Sequence, residues 1–243
     1  MNVSRETPAV PESAQRVFSA RYDEAVRYAE LLATEGTLRG LIGPREVPRL
    51  WERHLLNSAA LSSQIPASAT VCDVGSGAGL PGLVLALARP DLTVTLLEPL
   101  LRRTTFLEEV VGELGLTNVD VVRGRADSLH GRRTFDVVTS RAVAPLDRLL
   151  EWSMPLVAPS GALVAMKGSS VAEEVQAHAS VWQRLGCTVP QVLELVIEGA
   201  DDHTFAVRVA WARPGQVSSD RSVGSMSDAP SRVRTTKRQS RKK

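Results

Sequence analysis

Lysine is almost missing from the body of this 243-residue chain: Lys167 is the only one before residue 237. Cysteine is nearly as scarce, with Cys72 and Cys187 alone, each inside an apolar, strand-like run. Two such thiols make no disulfide framework, and the burial habits of free cysteine point to reduced, buried side chains in a cytoplasmic protein. No apolar run approaches the roughly 20 residues that a bilayer-spanning helix needs. The opening stretch, MNVSRETPAVPESAQ, has acids and prolines where a signal peptide would place a basic and then an apolar segment. Aromatic residues make up only 4%, yet hydrophobic residues reach 43%, ample for a core. The length suits one large α/β domain with an accessory segment, or two small domains.

The net charge of +2 conceals a split. Residues 213–243 hold nine of the 29 Lys/Arg and two of the 27 Asp/Glu, which leaves −5 over 1–212 and +7 over the tail. The closing string, SRVRTTKRQSRKK, has no acid and no large apolar residue beyond Val233. Such a segment cannot offset its ordering entropy by burial, and disorder is expected over 214–243. Its charge suits salt-sensitive, sequence-independent attraction to RNA, or simple solubilisation.

Hydrophobic period and punctuation divide the rest. Residues 12–35 predict a helix with Val17, Ala20, Tyr28, Leu31 and Leu32 roughly on one face and Gly36 as the stop; a second helix is expected over 46–61. Together they form an N-terminal helical arm, residues 1–62. A Rossmann-like domain follows over 63–213: strands at 70–74, 93–98, 119–123, 135–140 and 162–166, helices at 80–88, 100–114, 145–157 and 171–185, and strand-like runs at 187–197 and 204–212. Right-handed crossovers make the first five strands parallel. The joint EGADDH is too short for a crossover, so one of the last two strands must run antiparallel. The expected fold is α/β, a mostly parallel seven-stranded sheet with one reversed strand.

Residues 71–82, VCDVGSGAGLPG, carry the most chemistry. An apolar strand bearing Asp73 breaks into Gly75, Gly77, Gly79 and Gly82, and the apolar LVLALA follows at once. A second strand, TVTLLE, ends in Glu98. Glycines in the first βα turn and an acid closing the next strand point to a nucleoside cofactor. The string contains GxGxxG, the dinucleotide pattern, in which a helix N-terminus faces a pyrophosphate. Asp73 would set negative charge beside that phosphate. The order D-x-G-x-G-x-G instead resembles motif I of S-adenosylmethionine (AdoMet) methyltransferases, whose cofactor has a sulfonium, an ammonium and a carboxylate but no phosphate. Asp73 is then expected to help hold the cationic cofactor, with a loop-capping role as the alternative. Glu98, an acceptor-only side chain, can take both ribose hydroxyls. Ala126 and Asp127, after the third strand, can meet the adenine.

Several acceptors are disfavoured by missing residues. After strand four, T-S-R-A-V-A-P-L stands where exocyclic-amine methylation usually has (Asp/Asn/Ser)-Pro-Pro-aromatic. Neither cysteine is placed for the thiolate attack of pyrimidine C5 methylation. Ribose methylation of the Lys-Asp-Lys-Glu type needs two lysines, and the body has one. What remains are acceptors already nucleophilic at neutral pH, such as guanine N7, whose methylation needs positioning and no obligatory base.

The strings VCDVGSGAGLPGLVLALARP, LLEPLLRRTTFLEEV, FDVVTSRAVAPLDRLLEW and GALVAMKG resemble the bacterial 16S rRNA guanine-N7 methyltransferase G family (RsmG, formerly glucose-inhibited division protein B) over roughly residues 46–212. The arm's R-H-L-L-N-S resembles that family's Arg-His-x-x-Asp-Ser, with Asn57 in place of the acid. The resemblance implies AdoMet contacts at Gly75 and Leu80, at Ala126–Asp127 and at Arg141, with Gly77 in the same loop. It implies methylation of one guanine of 16S rRNA in the loop near the decoding centre, with the rRNA or a small-subunit precursor as partner. Arg141, after strand four, could bind the methionine carboxylate or an RNA phosphate in a fork. Arg141 and Lys167 are the candidates at the acceptor rim; no metal is expected, and the protein is expected to act as a monomer. His54 could touch cofactor or RNA, or be a packing histidine. Trp51, Trp152 and Trp182 fall at helical spacing and read as core or groove residues. Two other readings stay open: a methyltransferase of another RNA, a protein or a small molecule, and a non-catalytic RNA-binding ribosome-assembly factor.

Overall fold

The computed structural model describes residues 9–197 and 203–216. Seven strands form one sheet in the order β3-β2-β1-β4-β5-β7-β6. They are β1 (Thr70–Val74), β2 (Thr93–Glu98), β3 (Val119–Arg123), β4 (Phe135–Arg141), β5 (Val157–Lys167), β6 (Gln191–Leu195) and β7 (Thr204–Ala210). The first five pair in parallel, and β7 inserts antiparallel between β5 and β6. One strand is reversed, as the short joint before it requires. The fall-back from β1 to the β2 side and then across to β4 leaves a crevice at the carboxyl ends of β1 and β4, where ligands of open α/β sheets sit.

Side-chain alternation along β1 sorts the core into two layers. Val71 joins an apolar cluster on one face, and Cys72 and Val74 join a second cluster on the other. The first face is covered by α4 (Gly82–Ala88), α5 (Leu101–Glu113) and the N-terminal arm, whose Phe18, Tyr28, Leu50, Trp51 and Leu55 belong to the same cluster. The second face is covered by α6 (Leu146–Ser153), α7 (Val171–Ala177) and α8 (Ala179–Arg184). Both cysteines are buried and unbridged. Among the described residues no helix is long and apolar enough to cross a membrane.

The arm departs from two regular helices. The expected helix 12–35 is broken into α1 (Glu12–Phe18) and α2 (Tyr22–Leu31) at Ser19, whose φ is +41°. The break re-aims the chain: Ala14 and Phe18 face inward, Ala20 turns to solvent, and Ala25, Tyr28 and Ala29 return to the core. A wide π turn, Leu32–Gly36, ends this segment. The second stretch mixes a 3-10 turn (Pro44–Arg49), a π turn (Leu50–Leu56), the one-turn α3 (Asn57–Ala59) and another 3-10 turn. Widening over Leu50–Leu56 lets Leu50, Trp51, His54, Leu55 and Leu56 all point inward. Trp51 meets Phe18 edge-on at 6.3 Å between centroids.

Two further expectations are shortened by local chemistry. The helix 171–185 breaks at His178 into α7 and α8. The strand 187–197 begins only at Gln191, because Pro190 has no N–H to give the ladder; Cys187 keeps a lone bridge to Trp211. The basic tail read from the sequence lies outside the described residues, apart from a 3-10 turn at Pro214–Gln216.

Candidate active site

At the carboxyl ends of β1 to β4 lies a cleft of about 720 Å³, within the range of small-molecule sites. Gly75, Gly77, Leu80, Glu98, Ala126, Asp127 and Arg141 all line it. Thus seven positions picked from the sequence, drawn from four strand ends, face one space.

The glycine turn is tight because both walls press on it. Gly75 has φ +74°, and a Cβ there would meet Val143 Cγ2 at 2.9 Å. Its N–H donates to the Leu97 carbonyl at 2.8 Å, which ties the turn to the end of β2. Glu98 is 1% exposed, and its carboxylate accepts N–H bonds from Gly77 at 3.0 Å and from Leu100 at 3.1 Å. Oε2 also lies 3.5 Å from Arg103 Nη1, while Oε1, with Leu100 as its one partner, keeps a second lone pair, so the carboxylate both braces the loop and retains acceptor capacity.

Asp73 lies elsewhere. It alternates toward the α4 face, is fully buried, and does not line the cleft. One oxygen accepts the Gly82 N–H at 3.0 Å, while the other has no partner. Of the two roles open to it, the structure displays the capping one. Burial pushes its pKa up to about 7, against the lowering effect of the Gly82 hydrogen bond, while Ser76 Oγ donates to the Asp73 backbone carbonyl at 2.9 Å. Gly82 must be glycine because a Cβ would strike Leu96 and lie 2.7 Å from that same Asp73 oxygen.

The arm closes the cleft from above. Tyr28, fully buried, donates its hydroxyl to the Ala78 carbonyl of the glycine turn at 2.7 Å. Leu41, Ile42 and His54 contribute further lining. Arg141 donates through Nη2 to His54 Nδ1 at 2.8 Å and to the Arg53 carbonyl at 3.2 Å. Its Nη1 is buried without a partner. Burial, with the Arg53 cation nearby, lowers the Arg141 pKa. A half-buried guanidinium with an unpartnered donor is a ready partner for an anion, which is what a methionine carboxylate provides. With Glu98 for hydroxyls and Arg141 for a carboxylate, the residues present fit AdoMet.

A second cavity, about 510 Å³, shares the Arg141–Val143 wall and is bounded by Arg53, Asn57, Lys167 and Phe205. Ala142, between the two spaces, is held at φ +53°, the kind of backbone strain that clusters at functional sites. Lys167 is engaged: its ammonium lies 2.8 Å from Glu174 and donates to the Ala144 carbonyl at 3.1 Å. Trp152 lines the cofactor cleft, Trp51 is core, and Trp182 packs against the second layer. Tyr28, the Leu41–Ile42 pair and Glu46, which lies 2.9 Å from His54 Nε2, are site elements that sequence patterns did not single out. Only spatial proximity marks them.

One reversed strand in an otherwise parallel sheet, a glycine turn after β1 and an acid closing β2 define a Rossmann-like AdoMet-dependent methyltransferase. A similar fold is found in a SAM-dependent methyltransferase from Aquifex aeolicus, with TM-score 0.51 and 20% identity over 70% of this chain and 97% of that one. Residues 21–203 match the family model described as rRNA small subunit methyltransferase G. The chain is 66% identical over 218 residues to the ribosomal RNA small subunit methyltransferase G of Nocardioides sp. JS614, covering 89% of this chain and 87% of that one. With the protein of the same name from Streptomyces coelicolor it shares 59% over 196 residues, 80% and 82% of the two chains. This protein belongs to the rRNA small subunit methyltransferase G family.

Proposed function

We propose that the protein methylates N7 of one guanine in 16S rRNA, in the loop near the decoding centre, with AdoMet as donor. The observation that carries this reading is the state of the titratable groups at the wall between the two cavities. His54 Nδ1 is taken up by Arg141, the Lys167 ammonium by Glu174 and the Ala144 carbonyl, and the Arg141 guanidinium has no lone pair with which to accept a proton. A wall so engaged suits an acceptor whose lone pair already lies in the plane of its ring and needs no deprotonation, as guanine N7 does.

Bound AdoMet supplies a methyl group made electrophilic by its sulfonium. The chain's own work is placement. Glu98 would hold the ribose hydroxyls, Ala126 and Asp127 would meet the adenine, and Arg141 would hold the carboxylate; all four line the same cleft. The arm contributes Leu41, Ile42 and His54 to the cleft's lining. Catalysis then rests on proximity and orientation.

Borohydride–aniline treatment cleaves RNA at 7-methylguanosine. Small-subunit rRNA from a strain lacking the gene should lose one cut, and the wild-type gene should restore it. An unchanged pattern would sink the guanine-N7 reading and leave another methyl acceptor, or a binding role alone, to explain the cleft.

A further inference from the structure

Arg141 reaches the cleft from the last position of β4, but what holds its guanidinium belongs to the arm. Its two hydrogen bonds go to His54 and to the Arg53 carbonyl, 87 and 88 residues away in sequence. A guanidinium only donates, so His54 Nδ1 is the acceptor and the ring proton sits on Nε2. That Nε2–H donates to Glu46 Oε2 at 2.9 Å. The chain Glu46–His54–Arg141 thus has one consistent arrangement of protons, with His54 neutral. The charged groups facing the imidazole are Glu46, Arg53 and Arg141; burial and Arg141 bring its pKa down to about 4, so the arrangement holds at neutral pH. His54 is 8% exposed, and Arg141 Nη1 is buried and unpartnered. Arginine loses much rotamer freedom on being fixed. Here that cost is met before any ligand arrives.

We propose that His54 is a positioning residue for the cofactor: it presets the Arg141 guanidinium so that the unpartnered Nη1 meets the carboxylate of an amino-acid-bearing nucleoside. The proposal rests on the reading of Arg141 as the carboxylate's partner. It makes the arm, rather than the sheet, the source of preference for AdoMet and S-adenosylhomocysteine over 5′-methylthioadenosine. The last has the same adenosine and sulfur but lacks the amino-acid portion.

Calorimetric titration of the full chain with S-adenosylhomocysteine and with 5′-methylthioadenosine tests this. His54→Leu should weaken S-adenosylhomocysteine binding by about tenfold or more, the scale of a charge-assisted hydrogen bond. Its affinity for 5′-methylthioadenosine should stay within about twofold, because the bond at stake is to the missing group. His54→Asn keeps an acceptor oxygen at the δ position and should recover most of the loss; it also serves if the leucine variant fails to fold. Equal weakening of both ligands would reduce His54 to a packing role and overturn the proposal. So would unchanged S-adenosylhomocysteine binding in His54→Leu while Arg141→Met loses it. If Arg141→Met itself binds S-adenosylhomocysteine as the wild type does, the carboxylate reading beneath the proposal fails instead.

Discussion

Glu98 carries the N–H groups of Gly77 and Leu100 on its carboxylate while facing the cleft. Its removal therefore costs both the loop's brace and the cofactor's hydroxyl acceptor. Glu98→Ala should weaken AdoMet binding about tenfold or more, since each lost hydrogen bond to a charged group is worth about 1.5–3 kcal/mol. Calorimetry showing a change within about twofold would contradict the ribose assignment. Two other residues set the pH response, with opposite signs. Asp73 titrates near 7 in the folded protein, against about 3.8 when unperturbed, so between these values the folded state holds a proton the unfolded chain has released. Its contribution to stability falls as pH rises through that window and levels off above it. His54 titrates near 4 against about 6.5, so acidification through that range loads a proton onto the unfolded chain only, and stability falls as pH drops. Relative to wild type, Asp73→Asn should gain stability as pH rises from about 4 to 7, and His54→Asn should gain it as pH falls from about 6.5 to 4. Urea titrations at pH 4.5, 5.5 and 7, about evenly across both windows, read this directly; parallel profiles for both variants would contradict the two placements.

At the scale of elements, the glycine turn is a joint between β1, α4 and the arm. Gly82→Ala would drive a methyl group against Leu96 and Asp73 at the start of α4. Overpacking of this kind costs about 1–3 kcal/mol, and a thermal melt should show a drop of several degrees. An unchanged melting temperature would mean that the turn shifts freely. This joint was legible in the sequence because its parts are local: Asp73, the glycines and the apolar run of α4 sit within about twenty residues, and Glu98 follows after one βα crossover. The arm was not. Helical period over 12–35 hides the break at Ser19, because Phe18 and Tyr28 are drawn inward by partners distant in the chain. Tyr28–Ala78 spans 50 residues and His54–Arg141 spans 87, separations at which no spacing rule operates. Asp73 shows the other kind of shortfall: strand period predicts burial, but not whether the buried carboxylate faces ligand or backbone.

For the whole molecule, the arm and the sheet share one apolar cluster, and the cleft has walls from both. The two cavities meet at Arg141–Val143. Methyl transfer to guanine N7 of small-subunit rRNA is the reaction these walls are proposed to serve. It is tested most directly by incubating the purified protein with isotopically labelled AdoMet and small-subunit rRNA or particles from a strain lacking the gene, then resolving the digested nucleosides by mass spectrometry. Label is expected in 7-methylguanosine, from one position of the 16S rRNA, and none when Arg141→Met replaces the wild type. Label in any other nucleoside, or none from wild-type protein shown to bind AdoMet, would contradict it.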